Sequence, residues 1–263
     1  MEFYKTDRVA LYNGDCVEEM NNLIEKGVKV DKIITSPPYN IIRPNNDDRG
    51  YDLYNDGMTN DEYIKWTLDI FDCYDRILNP NGCIAYNMSY GSENTEGMSL
   101  TVAEILKNTN FTIADILVWK KTSAMPNSMS PNKMTRICEF VYIFCRRSEF
   151  NTFTSNKKQV TVKGEKEQAV YENLFNFFTA PNNDECQDLN KATFSTGFVN
   201  NIIERYVKPD DVVLDNFNGT GTTLCACIGR NIKCIGIELS EKQCQYTVDR
   251  IKGGVQISLL SLI

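Results

Sequence analysis

Two short stretches of this chain hold reactive groups at positions where a polypeptide can keep them still. The first is Thr35-Ser36-Pro37-Pro38-Tyr39-Asn40. Neither proline has an N–H and each fixes its own φ, so the buried strand predicted over residues 31–34 must stop at Ser36 in a stiff loop. There the Ser36 hydroxyl sits beside the Pro37 carbonyl, and Tyr39 offers a flat ring. Two acceptors next to an aromatic face suit a planar ring that carries an exocyclic amino group. A plain strand-ending turn is the competing reading. The second stretch is Asp215-Asn216-Phe217-Asn218-Gly219-Thr220-Gly221-Thr222, between a predicted strand over 212–215 and a predicted helix over 224–228. Glycines in such a turn let a ligand approach the backbone closely. A further strand, 234–237, ends in Glu238, about twenty residues past the turn, the spacing at which a carboxylate meets ribose hydroxyls. No Gly-Lys-Ser/Thr follows the glycines, which argues against a phosphate-gripping loop.

The elements around these stretches alternate. A first strand closes at Gly14-Asp15, and Asp15 is a good N-cap for the helix that follows. Residues 41–60 form a long polar loop of the kind that serves as a lid or binding loop. From Asp61 a helix carries Tyr63, Trp66, Phe71 and Tyr74 on a broad apolar face, read here as core. Strands over 83–87, 111–119 and 135–145 and helices over 99–107, 198–206 and 241–251 complete an α/β pattern with a doubly wound sheet.

Composition sets the outer bounds. At 263 residues the chain is long enough for one sizeable α/β domain. Its net charge of −7 argues by itself against nucleic acid. Charge is unevenly spread, however: residues 120–168 hold ten Lys/Arg against four Glu, and phosphate contacts need only a local basic face. The ten cysteines are scattered without a CxxC pair and there is no histidine, so a structural zinc site is not expected and the commonest general base is absent. With no membrane-length apolar run and no signal-peptide pattern, the expected location is the cytoplasm.

The paired stretches resemble the DNA amino-methyltransferases. That family carries a (Ser/Asp/Asn)-Pro-Pro-(Tyr/Phe) catalytic loop and an Asp-x-Phe-x-Gly-(Ser/Thr)-Gly-Thr turn for S-adenosylmethionine. The catalytic loop comes first here, the order of the permuted β group; Asn216 departs from the family's usual proline. The resemblance implies a circularly permuted, Rossmann-like methyltransferase sheet. Residues 1–145 would form its catalytic part, 146–190 a small inserted target-recognition segment, and 191–263 the cofactor-binding part. Ser36, Pro37, Pro38 and Tyr39 would act on the target base. Asp15, Thr35, Phe194, Ser195, Thr196, residues 215–222, Glu238 and Leu239 would surround the cofactor. Asn40, Lys120, Lys121, Arg136, Arg146 and Arg147 would meet the DNA.

The resemblance also implies a mechanism. Ser36 and the Pro37 carbonyl would draw the amino nitrogen of a flipped base toward sp³ geometry, with Tyr39 stacked on the ring. Ser36 points to cytosine N4, with adenine N6 as the alternative; a methyltransferase of RNA or protein glutamine, or a silent DNA-binding module, are further readings. Double-stranded DNA is the implied partner, a cognate restriction nuclease another. The apolar tail 255–263 is read as an extra strand or a homodimer contact.

Overall fold

Strands apolar on both sides need helices on both faces of their sheet, and the described residues of this chain supply three for each. The computed structural model describes residues 1–40, 57–88, 94–124, 131–132, 134–164, 167–184 and 193–253. The first half contains β1 (Glu2–Lys5), β2 (Val9–Asn13), α1 (Cys16–Glu25), β3 (Val30–Thr35), α2 (Asn60–Ile77), β4 (Leu78–Met88), α3 (Thr95–Asn108), β5 (Phe111–Lys121) and β6 (Cys138–Arg146). The second contains β7 (Gln159–Lys163), β8 (Gln168–Tyr171), β9 (Phe177–Ala180), α4 (Thr196–Tyr206), β10 (Val212–Asp215), α5 (Thr222–Gly229), β11 (Lys233–Glu238) and α6 (Glu241–Lys252). Residues 41–56 of the polar loop and the tail 255–263, both singled out above, lie outside the described residues.

Nine of the strands form one sheet in the order β1-β2-β11-β10-β3-β4-β6-β5-β9. β2, β11, β10, β3 and β4 are parallel, and β6 runs antiparallel between β4 and β5. Alternation along β4 serves two cores. Cys83 and Ala85 face α4, α5 and α6, whereas Ile84, Tyr86 and Met88 face α1, α2 and α3. Phe71 anchors α2, with ring centroids of Tyr74, Tyr86, Phe111 and Phe144 between 5.1 and 5.6 Å away. α2 starts at a full capping box of Thr59 and Glu62.

The topology creates the site. β10 passes its chain to β11 on one side, and β3 passes its chain through α2 to β4 on the other. At such a switch point the connections leave in opposite directions, and a crevice opens at the carboxyl ends of the strands. Residues Thr35 and Asp215 stand at that point, on adjacent strands though far apart in sequence.

Two strands of the nine-stranded sheet escape the sequence reading, β1 and β9. Both are short edge strands with exposed positions, so neither carries a buried apolar run. β9, within the expected insert, pairs in parallel with β5 of the main sheet. Asn156 bonds the carbonyls of Ile203, Glu204 and Val207 at the end of α4. Within 146–190, the β7–β8 hairpin is a separate two-stranded sheet, and β7 is exposed throughout.

Candidate active site

The loop after β3 is clamped from several sides. The Tyr63 hydroxyl donates to the Pro38 carbonyl at 2.8 Å. Asn40, at a φ of +45°, is fully buried; its side chain donates to the Met58 carbonyl (2.8 Å) and accepts from the Met58 N–H (3.1 Å). Asn40 therefore fastens the loop to the start of α2, and its amide edge faces protein. Ser36 Oγ lies 3.0 Å from the Tyr39 hydroxyl. The Asn87 side chain, on β4, donates to Tyr39 Oη and to Glu139 Oε2, both at 3.0 Å. Glu139, on β6, is in turn paired with Lys121 on β5.

The turn after β10 is fixed as firmly. Gly221 has a φ of +81°, and a Cβ there would lie 2.5 Å from Thr247 Cγ2, so backbone and space both require glycine. Asp215 is buried and accepts from Thr35 Oγ1 (2.8 Å), Thr223 Oγ1 (2.6 Å) and the Phe217 N–H (3.1 Å). It joins the catalytic strand to the glycine turn, and burial pushes its carboxyl up to about 6. The Glu238 carboxylate accepts from the Gly219 N–H (2.7 Å) and the Ser240 N–H (2.9 Å), so it holds the turn against the end of β11. Asn216, the departure noted above, accepts from Tyr74 Oη at 2.6 Å and ties the turn to α2. Burial raises the Tyr74 hydroxyl well above its ordinary range and keeps it a donor.

Loop and turn enclose a cavity of about 220 Å³. Asp15, Ser36, Pro38, Phe194, Asn216, Phe217, Asn218, Gly219, Thr220, Thr222, Glu238 and Leu239 line it. Asp15 also caps α1, accepting from the Val17 and Glu18 N–H groups. Thr35, Ser195, Thr196, Asp215 and Gly221, also expected at the cofactor, do not line the cavity. Ser195 caps α4 and donates to the Pro181 carbonyl (2.7 Å), and Thr196 holds Asp184. Trp66, read above as core, lines the cavity with its ring centroid 5.5 Å from that of Phe217. Its position one turn after Tyr63, whose hydroxyl grips the catalytic loop, is a signal visible only once the loop is placed. Asn87 had no signal beyond ending a strand.

The basic residues divide. Lys120, Lys121 and Arg136 lie at the carboxyl edge of the sheet, the cavity's edge, because β5 ends and β6 begins there. Arg146 and Arg147, also expected against DNA, lie at the opposite edge of the sheet. Arg146 is directed at Asp75, Glu149 and the carbonyls of Asp75, Leu78 and Asn79. Arg147 donates to the Leu106 and Phe111 carbonyls, each at 2.9 Å. Antiparallel β6 carries its final residues away from the crevice, and charge counting could not register that.

Comparison with known proteins agrees with this geometry. A family model described as DNA methylase matches residues 30–249. The type II methyltransferase M.HinfI of Haemophilus influenzae is 27% identical over 262 residues, covering 92% of this chain and 68% of that protein. M.BglII of Bacillus subtilis is 24% identical, covering 92% and 69%. Among solved structures, the PvuII DNA methyltransferase, described as cytosine-N4-specific, superposes with a TM-score of 0.67 at 18% identity over 95% of both chains. The complex of M1.HpyAVI with SAM gives 0.62 at 24% identity over 92% of this chain and 99% of that one.

Proposed function

The chain belongs to the N6/N4 DNA methylase family, and from that premise we propose that it methylates the N4 nitrogen of cytosine in double-stranded DNA, using S-adenosylmethionine. The observation that carries the choice of base is Ser36, a hydroxyl rather than a carboxylate, at the cavity beside Pro37. The adenine N6 nitrogen is the alternative target.

The cavity fits the cofactor. Asn216 Nδ2, Asn218 Oδ1 and Thr220 Oγ1 are buried around it without a hydrogen-bond partner among the described residues, as in a cradle for a polar ligand. Phe217 and Trp66 supply aromatic surface for a nucleoside base, and the Glu238 carboxylate keeps acceptor capacity for ribose hydroxyls. When bound there, S-adenosylmethionine supplies an electrophilic methyl group.

The residues of the chain do the rest. An aromatic amino nitrogen is a poor nucleophile because its lone pair is delocalised into the ring. Ser36 Oγ and the Pro37 carbonyl accept its two N–H groups, draw it toward sp³ geometry and aim the lone pair into the cavity. No strong base is required, in keeping with a chain that has no histidine. The target must leave the duplex to reach Ser36, and the ring of Tyr39 supports the extruded base.

The test is nucleoside mass spectrometry of unmethylated plasmid DNA after incubation with the protein and S-adenosylmethionine. N4-methylcytosine is expected. N6-methyladenine alone would overturn the cytosine assignment, and no methylated base would overturn the transfer reading.

A further inference from the structure

A file of polar groups runs from Lys121 through Glu139, Asn87 and Tyr39 to Ser36, and its hydrogen bonds have a direction. A carboxylate only accepts, so the group of Asn87 that faces Glu139 Oε2 at 3.0 Å is its NH2. The other N–H of that group meets Tyr39 Oη at 3.0 Å. A tyrosine oxygen that accepts there turns its own hydrogen to Ser36 Oγ, also at 3.0 Å. Ser36 in turn sends its hydrogen to the Asn87 main-chain carbonyl, 3.4 Å away. Asn87 Nδ2 also lies 3.4 Å from Ser36 Oγ, but its two hydrogens are taken by the nearer Glu139 and Tyr39 oxygens, so a lone pair of Ser36 is left for the cavity that it lines.

We propose that Glu139, held by Lys121, is a positioning residue that fixes Ser36 as a hydrogen-bond acceptor. The pocket thereby takes a base that presents an amino group at this point and turns away one that presents a carbonyl. The inference rests on the reading above that Ser36 meets the target amino group. Geometry sets the direction of the file: Glu139 is 8% exposed, Asn87 is 2% exposed, and the Asn87 Oδ1 atom is buried without a partner among the described residues. An amide free to choose would turn that oxygen toward the tyrosine hydroxyl. The carboxylate of Glu139 prevents it.

Glu139→Gln tests this with almost no change in shape. Lys121 only donates, so it takes the amide oxygen of the new side chain and leaves the NH2 facing Asn87. The Asn87 amide must then turn over, Tyr39 donates to it, and Ser36 loses the hydrogen bond that fixed its lone pair. The measurements are kcat and KM on unmethylated plasmid DNA and cofactor affinity by calorimetry, for the parent, Glu139→Gln, Tyr39→Phe and the double variant. A fall in kcat of about tenfold or more is expected for Glu139→Gln, as befits a misplaced reacting group, with cofactor affinity unchanged. In the Tyr39→Phe background the file is already cut, and the same substitution should change kcat by less than about twofold.

Parental kcat in Glu139→Gln, or an effect undiminished without the tyrosine hydroxyl, would overturn the inference. So would a matching loss of cofactor affinity. Should Glu139→Gln fail to fold, Asn87→Asp, which replaces the donor by an acceptor, replaces it in the same cycle, with the same expected and overturning results. A parent protein that methylates no DNA defeats the proposed function. An active parent with unaffected variants defeats this inference alone.

Discussion

Lys120 and Arg146 come from one basic stretch of sequence and stand at opposite edges of the sheet. At the cavity edge, Lys120 is exposed. At the other edge the Arg146 side chain is 15% exposed and is occupied by Asp75, Glu149 and three carbonyls. One cation faces outward and the other closes the ends of α2 and β6. The difference teaches that a basic run predicts a DNA-facing surface only after strand direction is known. Substitutions at the cavity edge should therefore change function and spare stability, and those at the far edge should do the reverse.

The largest expected effect is at the cavity. Ser36→Ala should lower the rate of methyl transfer by about a hundredfold or more, the scale of losing one hydrogen-bonding group aimed at a reacting centre. The melting temperature and cofactor affinity should stay at parental values. Retained activity in this variant would break both the mechanism and the comparison.

At the far edge, Arg146→Ala should destabilise the fold by about 2–3 kcal/mol, because it strands partly buried Asp75 and several carbonyls. Urea denaturation measures it. Activity per folded molecule should not change; a selective loss of DNA affinity would restore Arg146 to the DNA interface and reverse the comparison.

Glu238 tests whether the cavity edge can be separated from the fold at all. Its oxygens hold the Gly219 and Ser240 N–H groups, so Glu238→Ala loosens the turn as well as removing a ligand acceptor. Cofactor affinity should fall by about 1–3 kcal/mol in calorimetry. Unchanged affinity would remove Glu238 from the site.

Asp215, between the two functional stretches, adds a pH signature. Its folded-state carboxyl is raised from 3.8 to about 6 by burial. The folded protein thus holds this proton more tightly than the unfolded chain. The stability it contributes is fully present below about pH 4 and is lost as pH rises through 6. From pH 5 to 7.5 the loss should be about 1.4 kcal/mol, one unit of pKa difference. Asp215→Asn lacks this titration, so its stability should change less than the parent's over that range. Parallel pH profiles would show that the carboxyl is not raised.

Much of the fold was legible because buried parallel strands leave continuous apolar runs, as at residues 31–34 and 212–215. The two site stretches were legible for a related reason: proline and glycine constrain the backbone wherever they occur. Edge strands β1 and β9 leave no such run. The file from Lys121 to Ser36 was equally hidden, since its members lie on β5, β6, β4 and the loop after β3, and only strand order brings them together. Trp66 was assigned to the core because a helix face reads the same whether it packs on a sheet or borders a cavity.

The smallest expected effect decides whether the cavity edge meets DNA through Lys120. Each phosphate neutralised releases condensed counterions, so the slope of log affinity against log salt counts the contacts at about 0.9 per phosphate on duplex DNA. Lys120 is exposed where β5 ends, next to Lys121, whose ammonium is already committed to Glu139. Lys120→Ala should therefore flatten the slope by about one and cost only a few-fold in affinity at moderate salt. Arg147, at the far edge, is also exposed and serves as the matched control: Arg147→Ala removes the same charge and should leave the slope alone. Equal flattening in both variants would mean that net charge, not position, sets the salt dependence. Flattening in Arg147→Ala alone would place the DNA on the other edge of the sheet, away from Ser36, and no flipped base could then reach the cavity.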